Sequence, residues 1–254
     1  MIIDDLLTYL FDGQPHLLAA PIATWLSSSR RFTAFVTTFR TKIRKKLRAT
    51  RGLESLHDLR LELETAYMLL QEHALSLVYE PQNCGQSRCP DFAVTYTTSL
   101  TFMVEVTRLR VPQDSPQTHT QTQAPATSAA NIAMRRLMSE RLADTVCSKL
   151  GQLLPQRSNI MLVGVEDPCL TQDDLRTIML RVQQRAEHND VTVLQRYKFR
   201  DQADFFHHYQ RLSEILVRGE QVQAGEPVIV WVNPQAKHPL PSKVRTVLHR
   251  SHSI

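Results

Sequence analysis

Apolar residues recur at three- and four-residue steps between Phe32 and Leu47, at Phe32, Phe35, Val36, Phe39, Ile43 and Leu47, while Arg40, Lys42, Arg44, Lys45, Lys46 and Arg48 take the remaining faces. This spacing predicts a basic amphipathic helix. It closes a stretch, 1–52, that reads as a helical N-terminal arm. A second helix is expected over 53–74, striped by Leu56, Leu59, Leu63, Ala66, Tyr67 and Leu70. The period then changes to two. Extended runs at 76–80 and 91–97 flank the turn-rich stretch 81–88. Residues 100–109 read as a third strand, with Phe102, Val104 and Val106 on one face and Met103, Glu105 and Thr107 on the other.

From 111 to 131 the chain is rich in Pro, Gln, Thr, Ser and Ala and poor in large apolar residues. Such a stretch buries too little surface to offset its ordering entropy, so a mobile loop is expected. A long helix over 132–154 ends at Pro155, and 159–165 reads as a buried strand. Residues 171–187 read as a helix with Thr171 as N-cap and Asp173 and Asp174 in its first turn. His207 and His208 fall in a helix beside Phe205, Phe206 and Tyr209, where neighbours point in different directions, which argues against a metal pair. The last clear strand is 228–232, closed by Asn233 and Pro234.

Three consecutive strands with short connections suggest an antiparallel meander, and the helix before the fourth allows a crossover to a parallel neighbour. The expected fold is therefore α/β, a mixed sheet flanked by helices. Its core over 53–165 runs helix, three-strand meander, helix, strand. A helical arm precedes it, and an α/β C-terminal extension over 166–254 packs on it.

At 254 residues and 42% apolar content, the chain can bury one full core with an accessory layer, or two small domains. Nothing approaches the ~18 consecutive apolar residues of a membrane span. The N-terminal Met1-Ile2-Ile3-Asp4-Asp5 lacks the basic region of a secretory signal, so a cytoplasmic protein without a membrane partner is expected. Cys84, Cys89, Cys147 and Cys169 are too few and too irregular for a disulfide framework. Cys84 and Cys89 have loose zinc half-site spacing, but no second pair follows, and they read as free thiols in a loop. The net charge of +5 is uneven: residues 30–60 hold ten Lys and Arg against Glu54 and Asp58, a local +8, so the rest sums to −3. A footprint for a polyanion starts in that stretch, with Lys42, Lys45 and Lys46 as candidate phosphate contacts.

Asp91 opens one strand after Pro90, and Glu105 lies inside the next apolar strand, where an ionised carboxylate is costly without a partner or metal. Two carboxylates on neighbouring strands can hold Mg²⁺, a hard cation that keeps waters able to attack a phosphodiester. Helical geometry puts Glu62 beside Leu59, Ala66 and Leu69, facing the apolar side, and Glu64 beside Arg60, Met68 and Gln71, with a surface ion-pair partner at hand. On the helix over 132–154, Lys149 falls within the apolar stripe of Met138, Leu142, Val146 and Leu153, so its cation points toward the sheet; Gln152 lies beside it. Arg108, Arg110, Arg135 and Arg136 flank this region as candidate phosphate clamps.

The order of elements, with Glu62, Pro90-Asp91 and Glu105-Val106-Thr107, resembles the PD-(D/E)XK nuclease superfamily over roughly 53–165. With Lys-Ile-Arg-Lys-Lys-Leu-Arg upstream and Trp-Val-Asn-Pro downstream, it is similar to uncharacterised bacterial members whose motif reads Glu-Val-Thr. The resemblance implies a restriction-endonuclease-like core and a Mg²⁺- or Mn²⁺-dependent nuclease acting on DNA. Asp91 and Glu105 would be metal ligands and Glu62 an assisting acid. Thr107 stands where the superfamily has its motif lysine, and threonine carries no charge to stabilise a developing phosphorane. Lys149 is the candidate replacement, with Thr107 and Gln152 orienting solvent. The alternative is a catalytically inactive descendant of this fold that binds nucleic acid or a protein partner. A homodimer is left open.

Overall fold

The computed structural model describes residues 3–82, 89–110, 128–166, 170–220 and 228–251. Four helices come first: α1 (Ile3–Phe11), α2 (Ala19–Ser28), α3 (Arg30–Ala49) and α4 (Leu53–Gln71). The Ser29 hydroxyl accepts from the Phe32 amide and caps α3. Gly52, at φ 84°, turns the chain from α3 into α4 through a backbone state that side chains disfavour. Strands β1 (Leu75–Tyr79), β2 (Phe92–Tyr96) and β3 (Leu100–Leu109) follow, then α5 (Ser128–Leu150) and β4 (Asn159–Val165). The chain continues through α6 (Gln172–Glu187), α7 (Val191–Arg196), α8 (Gln202–Tyr209), β5 (Leu212–Gly219), β6 (Ile229–Val232) and α9 (Ser242–Ser251). Thr171 and Asp174 form a reciprocal capping box at the start of α6.

The six strands form one mixed sheet in the order β1-β2-β3-β4-β5-β6. β1, β2 and β3 are an antiparallel meander, β3, β4 and β5 run parallel, and β6 returns antiparallel. The parallel strands are buried on both faces, as crossover helices require. Ile160, Leu162 and Leu216 join a core with α1–α4 and α9; Met161, Val163, Ile215 and Val217 join a second core with α5–α8. The molecule is thus an α/β fold with helices on both faces of the sheet. Both edge strands are closed by side chains. Arg31 reaches the carbonyls of Leu70, Glu72 and Leu75, Lys42 those of Tyr79 and Glu80, and the Gln172 amide bonds both the N–H and the C=O of Val230. No described helix is long and apolar enough to cross a membrane.

Several expectations change. Residues 111–127 of the expected loop lie outside the described residues, while Ser128–Leu150 is helical, so α5 begins before the loop was expected to end. β5 was not anticipated, because Glu214 and Arg218 interrupt its apolar run. Both are buried, and their counter-charges come from far along the chain: Arg245 for Glu214, and Glu64 for Arg218 at 3.4 Å. Glu64 is therefore a buried partner of β5 and not a surface residue. Cys89 is disulfide-bonded, not a free thiol, whereas Cys147 is a buried free thiol. Cys84 and Cys169 lie outside the described residues.

Breaking a buried pair strands the remaining charge at low dielectric. Arg218→Met should lower the unfolding free energy by about 3–5 kcal/mol in urea titrations, and Arg218→Met with Glu64→Leu should recover most of that loss.

Candidate functional site

β3 has ten residues and β2 only five, so the ladder between them ends at Phe92 opposite Val104. The next residue toward the chain start, Asp91, sits one step past that end, level with Glu105. Its Oδ2 accepts from the Val106 amide at 2.8 Å, replacing the ladder bond that β2 no longer supplies. Asp91 and Glu105 are thereby held side by side. Glu105 points to the α5 side of the sheet, where Lys149 Nζ donates to its Oε1 at 2.7 Å. Both side chains are largely buried, 15% and 5% exposed.

Glu62 comes from the other side of the sheet. α4 lies so close to β4 that a Cβ at Gly164 would meet the Leu61 side chain at 2.6 Å, and this close approach carries the adjacent Glu62 to the cavity. Lys46 of α3 donates to Glu62 Oε1 at 2.6 Å and lies 2.8 Å from Glu80 Oε1. Its Nζ stands 4.9 Å from the centre of the Tyr79 ring. Glu80 closes β1 at φ 43°, and its amide donates to the Asp91 carbonyl, which ties that strand end to the site. The resulting cavity, about 340 Å³, is lined by Lys46, Asp58, Leu61, Glu62, Asp91, Glu105, Val106, Thr107, Arg108, Arg110 and Lys149.

Three inner carboxylates therefore face two ammonium groups. Burial raises the pKa of Asp91 well above the usual carboxylate range, and the charges of Glu62 and Glu105 add to this, outweighing the Val106 amide and Lys46. Burial also raises Glu62, with Lys46 opposing it. For Lys46 burial works against the charge, but Glu62 and Glu80 prevail and raise its pKa. The Tyr79 hydroxyl is buried against Glu62 without a well-formed hydrogen bond among the described residues, and burial, followed by the charge of Glu62, keeps the phenol protonated.

The expected site residues divide into two groups. Glu62, Asp91, Glu105, Thr107 and Lys149 share the cavity. Gln152 does not line it, and its buried Oε1 has no hydrogen-bond partner among the described residues. Of the expected phosphate contacts, Lys46 is inside the carboxylate cluster. Lys42 caps the end of β1, and Lys45 is exposed on α3. Arg108 is buried and engaged by Glu220 at 2.6 Å and Glu54 at 3.0 Å, so it braces α4 against β3 and is not an open clamp. Arg110 pairs with Asp58 at the cavity rim, and Arg135 with Asp174, away from the cavity. Glu80, Tyr79 and Asp58 were not foreseen. Glu80 carried one usable signal, an acid closing the strand beside Asp91.

Among the described residues, no group of three or more His, Cys, Asp or Glu is arranged to hold a metal ion. The donor set nevertheless suits a hard cation: carboxylate oxygens only, with Asp91 and Glu105 each committing one oxygen to a hydrogen bond within the protein. Inner negative charge also exceeds the positive by one when all five groups are ionised. No family model, curated protein or solved structure matches the chain.

An Asp whose folded-state pKa is raised stabilises the fold only when protonated, fully below its unfolded value near ~3.9, and that contribution is lost as pH rises through the folded pKa. Asp91→Asn keeps an acceptor for the Val106 amide and removes the titration. With chelator present, its thermal midpoint should exceed that of the wild type at pH 8, and the gap should shrink steadily toward pH 4. A gap that does not change with pH would contradict a buried, proton-seeking Asp91.

Proposed function

We propose that this protein is a divalent-metal-dependent phosphodiester hydrolase of the PD-(D/E)XK type, with a restriction-endonuclease-like core and nucleic acid, DNA by resemblance, as its substrate. The observation that carries this reading is the convergence of Glu62 of α4, Asp91 just before β2, Glu105 of β3 and Lys149 of α5 on one cavity. A hard cation, Mg²⁺ or Mn²⁺, would be held by Asp91 and Glu105, with Glu62 within reach of its waters. Bound there, it supplies Lewis acidity and a water of lowered pKa.

The chain's own groups supply the rest. The Val106 amide fixes the Asp91 carboxylate, so one ligand is set in place by the sheet itself. Lys149 answers the missing motif lysine from a different element. Its bond to Glu105 places an ammonium at the cavity, where it can stabilise negative charge developing on a phosphoryl group. Thr107, on the same face of β3 as Glu105, offers a hydroxyl to a water or phosphate oxygen. Arg110 at the rim supplies positive charge for a phosphate backbone outside the cavity. Mechanistically, positioning and charge stabilisation carry the reaction, with no covalent step on the protein.

One observation favours the second reading, an inactive fold that binds nucleic acid or a protein partner. Lys46 and Lys149 already neutralise Glu62 and Glu105, as in a site that has become structural. The two readings separate in one experiment. With Mn²⁺ or Mg²⁺, the wild type should cleave DNA, and Asp91→Ala and Glu105→Ala should lose both cleavage and calorimetric Mn²⁺ binding. Lys149→Met should keep Mn²⁺ binding and lose roughly 10²–10³-fold in rate. Full activity in Asp91→Ala would overturn the assignment. Binding of DNA without cleavage in the wild type would establish the second reading.

A further inference from the structure

We propose that Lys46 is an exchangeable counter-ion: its ammonium competes with a divalent cation for the carboxylate cluster, so that the N-terminal arm sets the affinity of the site for metal. This inference rests on the metal-site reading above and extends it to a residue that no catalytic motif contains.

The two lysines of the cavity are held in different ways. Lys149 reaches one partner, Glu105, and is 15% exposed within the α5–sheet interface. Lys46 bridges two carboxylates, Glu62 and Glu80, and is 29% exposed, and Glu80 is itself 39% exposed. It also faces the Tyr79 ring and feels the charge of Asp91. A lysine ammonium on a four-carbon stem, with one flank open to solvent, can leave its carboxylates without disturbing its helix. The apolar packing of α3 is carried by Phe32, Phe35, Val36, Ile43 and Leu47, which are buried beside Lys46 and do not need its ammonium.

The charge count gives the competition its sign. Glu62, Glu80, Asp91 and Glu105 with Lys46 and Lys149 carry two net negative charges when all are ionised; without Lys46 they carry three. Two unit charges 4 Å apart in a partly buried setting interact by several multiples of thermal energy. Removing this cation therefore strengthens the pull on a divalent ion, and its presence opposes loading. Lys45, the preceding residue on α3, is exposed and has the same formal charge, so it reports the effect of charge outside the cluster.

The experiment is a calorimetric Mn²⁺ titration of the full chain in five forms: wild type, Lys46→Gln, Lys45→Gln, Asp91→Ala, and Lys46→Gln with Asp91→Ala, with thermal midpoints recorded with and without Mn²⁺. Gln removes the charge and keeps an amide donor on a side chain one bond shorter. Lys46→Gln should bind Mn²⁺ on the order of tenfold more tightly than wild type and gain a larger Mn²⁺-dependent rise in midpoint. Lys45→Gln should match wild type, and adding Asp91→Ala should abolish the gained affinity. Equal or weaker binding by Lys46→Gln overturns the inference. So does an equal gain in Lys45→Gln, or tight binding that survives Asp91→Ala. If Asp91→Ala alone removes wild-type binding while Lys46→Gln leaves it unchanged, the metal site stands and only the role of Lys46 fails. Absence of Mn²⁺ binding in every form removes both.

Discussion

The hydrogen bond from the Val106 amide to the Asp91 carboxylate determines where this protein's sheet ends and its cavity begins. β3 continues five residues beyond its last partner on β2, and an amide left on that edge needs an acceptor if it is not to face a buried site unpaired. A peptide carbonyl would have extended the ladder; a carboxylate completes the bond and also brings a negative charge level with Glu105. From that placement the surrounding charges follow. Buried carboxylates require counter-charges: Lys149 of α5 pairs with Glu105 on one side of the sheet, and Lys46 of α3 pairs with Glu62 on the other.

Helix α4 is held to this site by closely spaced residues with different tasks. Leu61 packs into the space that Gly164 leaves open, Glu62 faces the cavity, and Glu64 is paired with Arg218 of β5. Farther along the same face, Arg108 of β3 joins Glu54 of α4 to Glu220 beyond β5. The segment after residue 166 thus contributes more than a cover. It adds β5 and β6 to the sheet, and its buried Arg218 fixes the helix that presents Glu62.

Much of this was legible in local patterns. Periodicity marked α3, α4, β3 and β4, and Thr171 with its acidic first turn marked the start of α6. Glu105 inside an apolar strand and Lys149 inside an apolar stripe each demanded an opposite charge, and each is the partner of the other. What local patterns could not convey were partnerships across long separations. Glu64 looked like a surface residue because its helix neighbours were polar, while its counter-charge lay 154 residues away. Arg108 resembled a free clamp for the same reason, with Glu220 lying 112 residues on. β5 was hidden by two ionisable residues whose neutralisation is entirely tertiary. Lys46 read as one charge in a basic run, because only the fold turns it inward to Glu62 and Glu80.

The most direct test of the central claim is anomalous diffraction from crystals soaked in Mn²⁺. The account predicts a single strong peak in the cavity, at ordinary coordination distance of about 2.0–2.3 Å from carboxylate oxygens of Asp91 and Glu105, with Lys46 Nζ displaced from Glu62. A cavity that stays without a peak at saturating Mn²⁺, with the Lys46–Glu62 and Lys149–Glu105 pairs intact, would contradict it and leave the cluster a purely structural network.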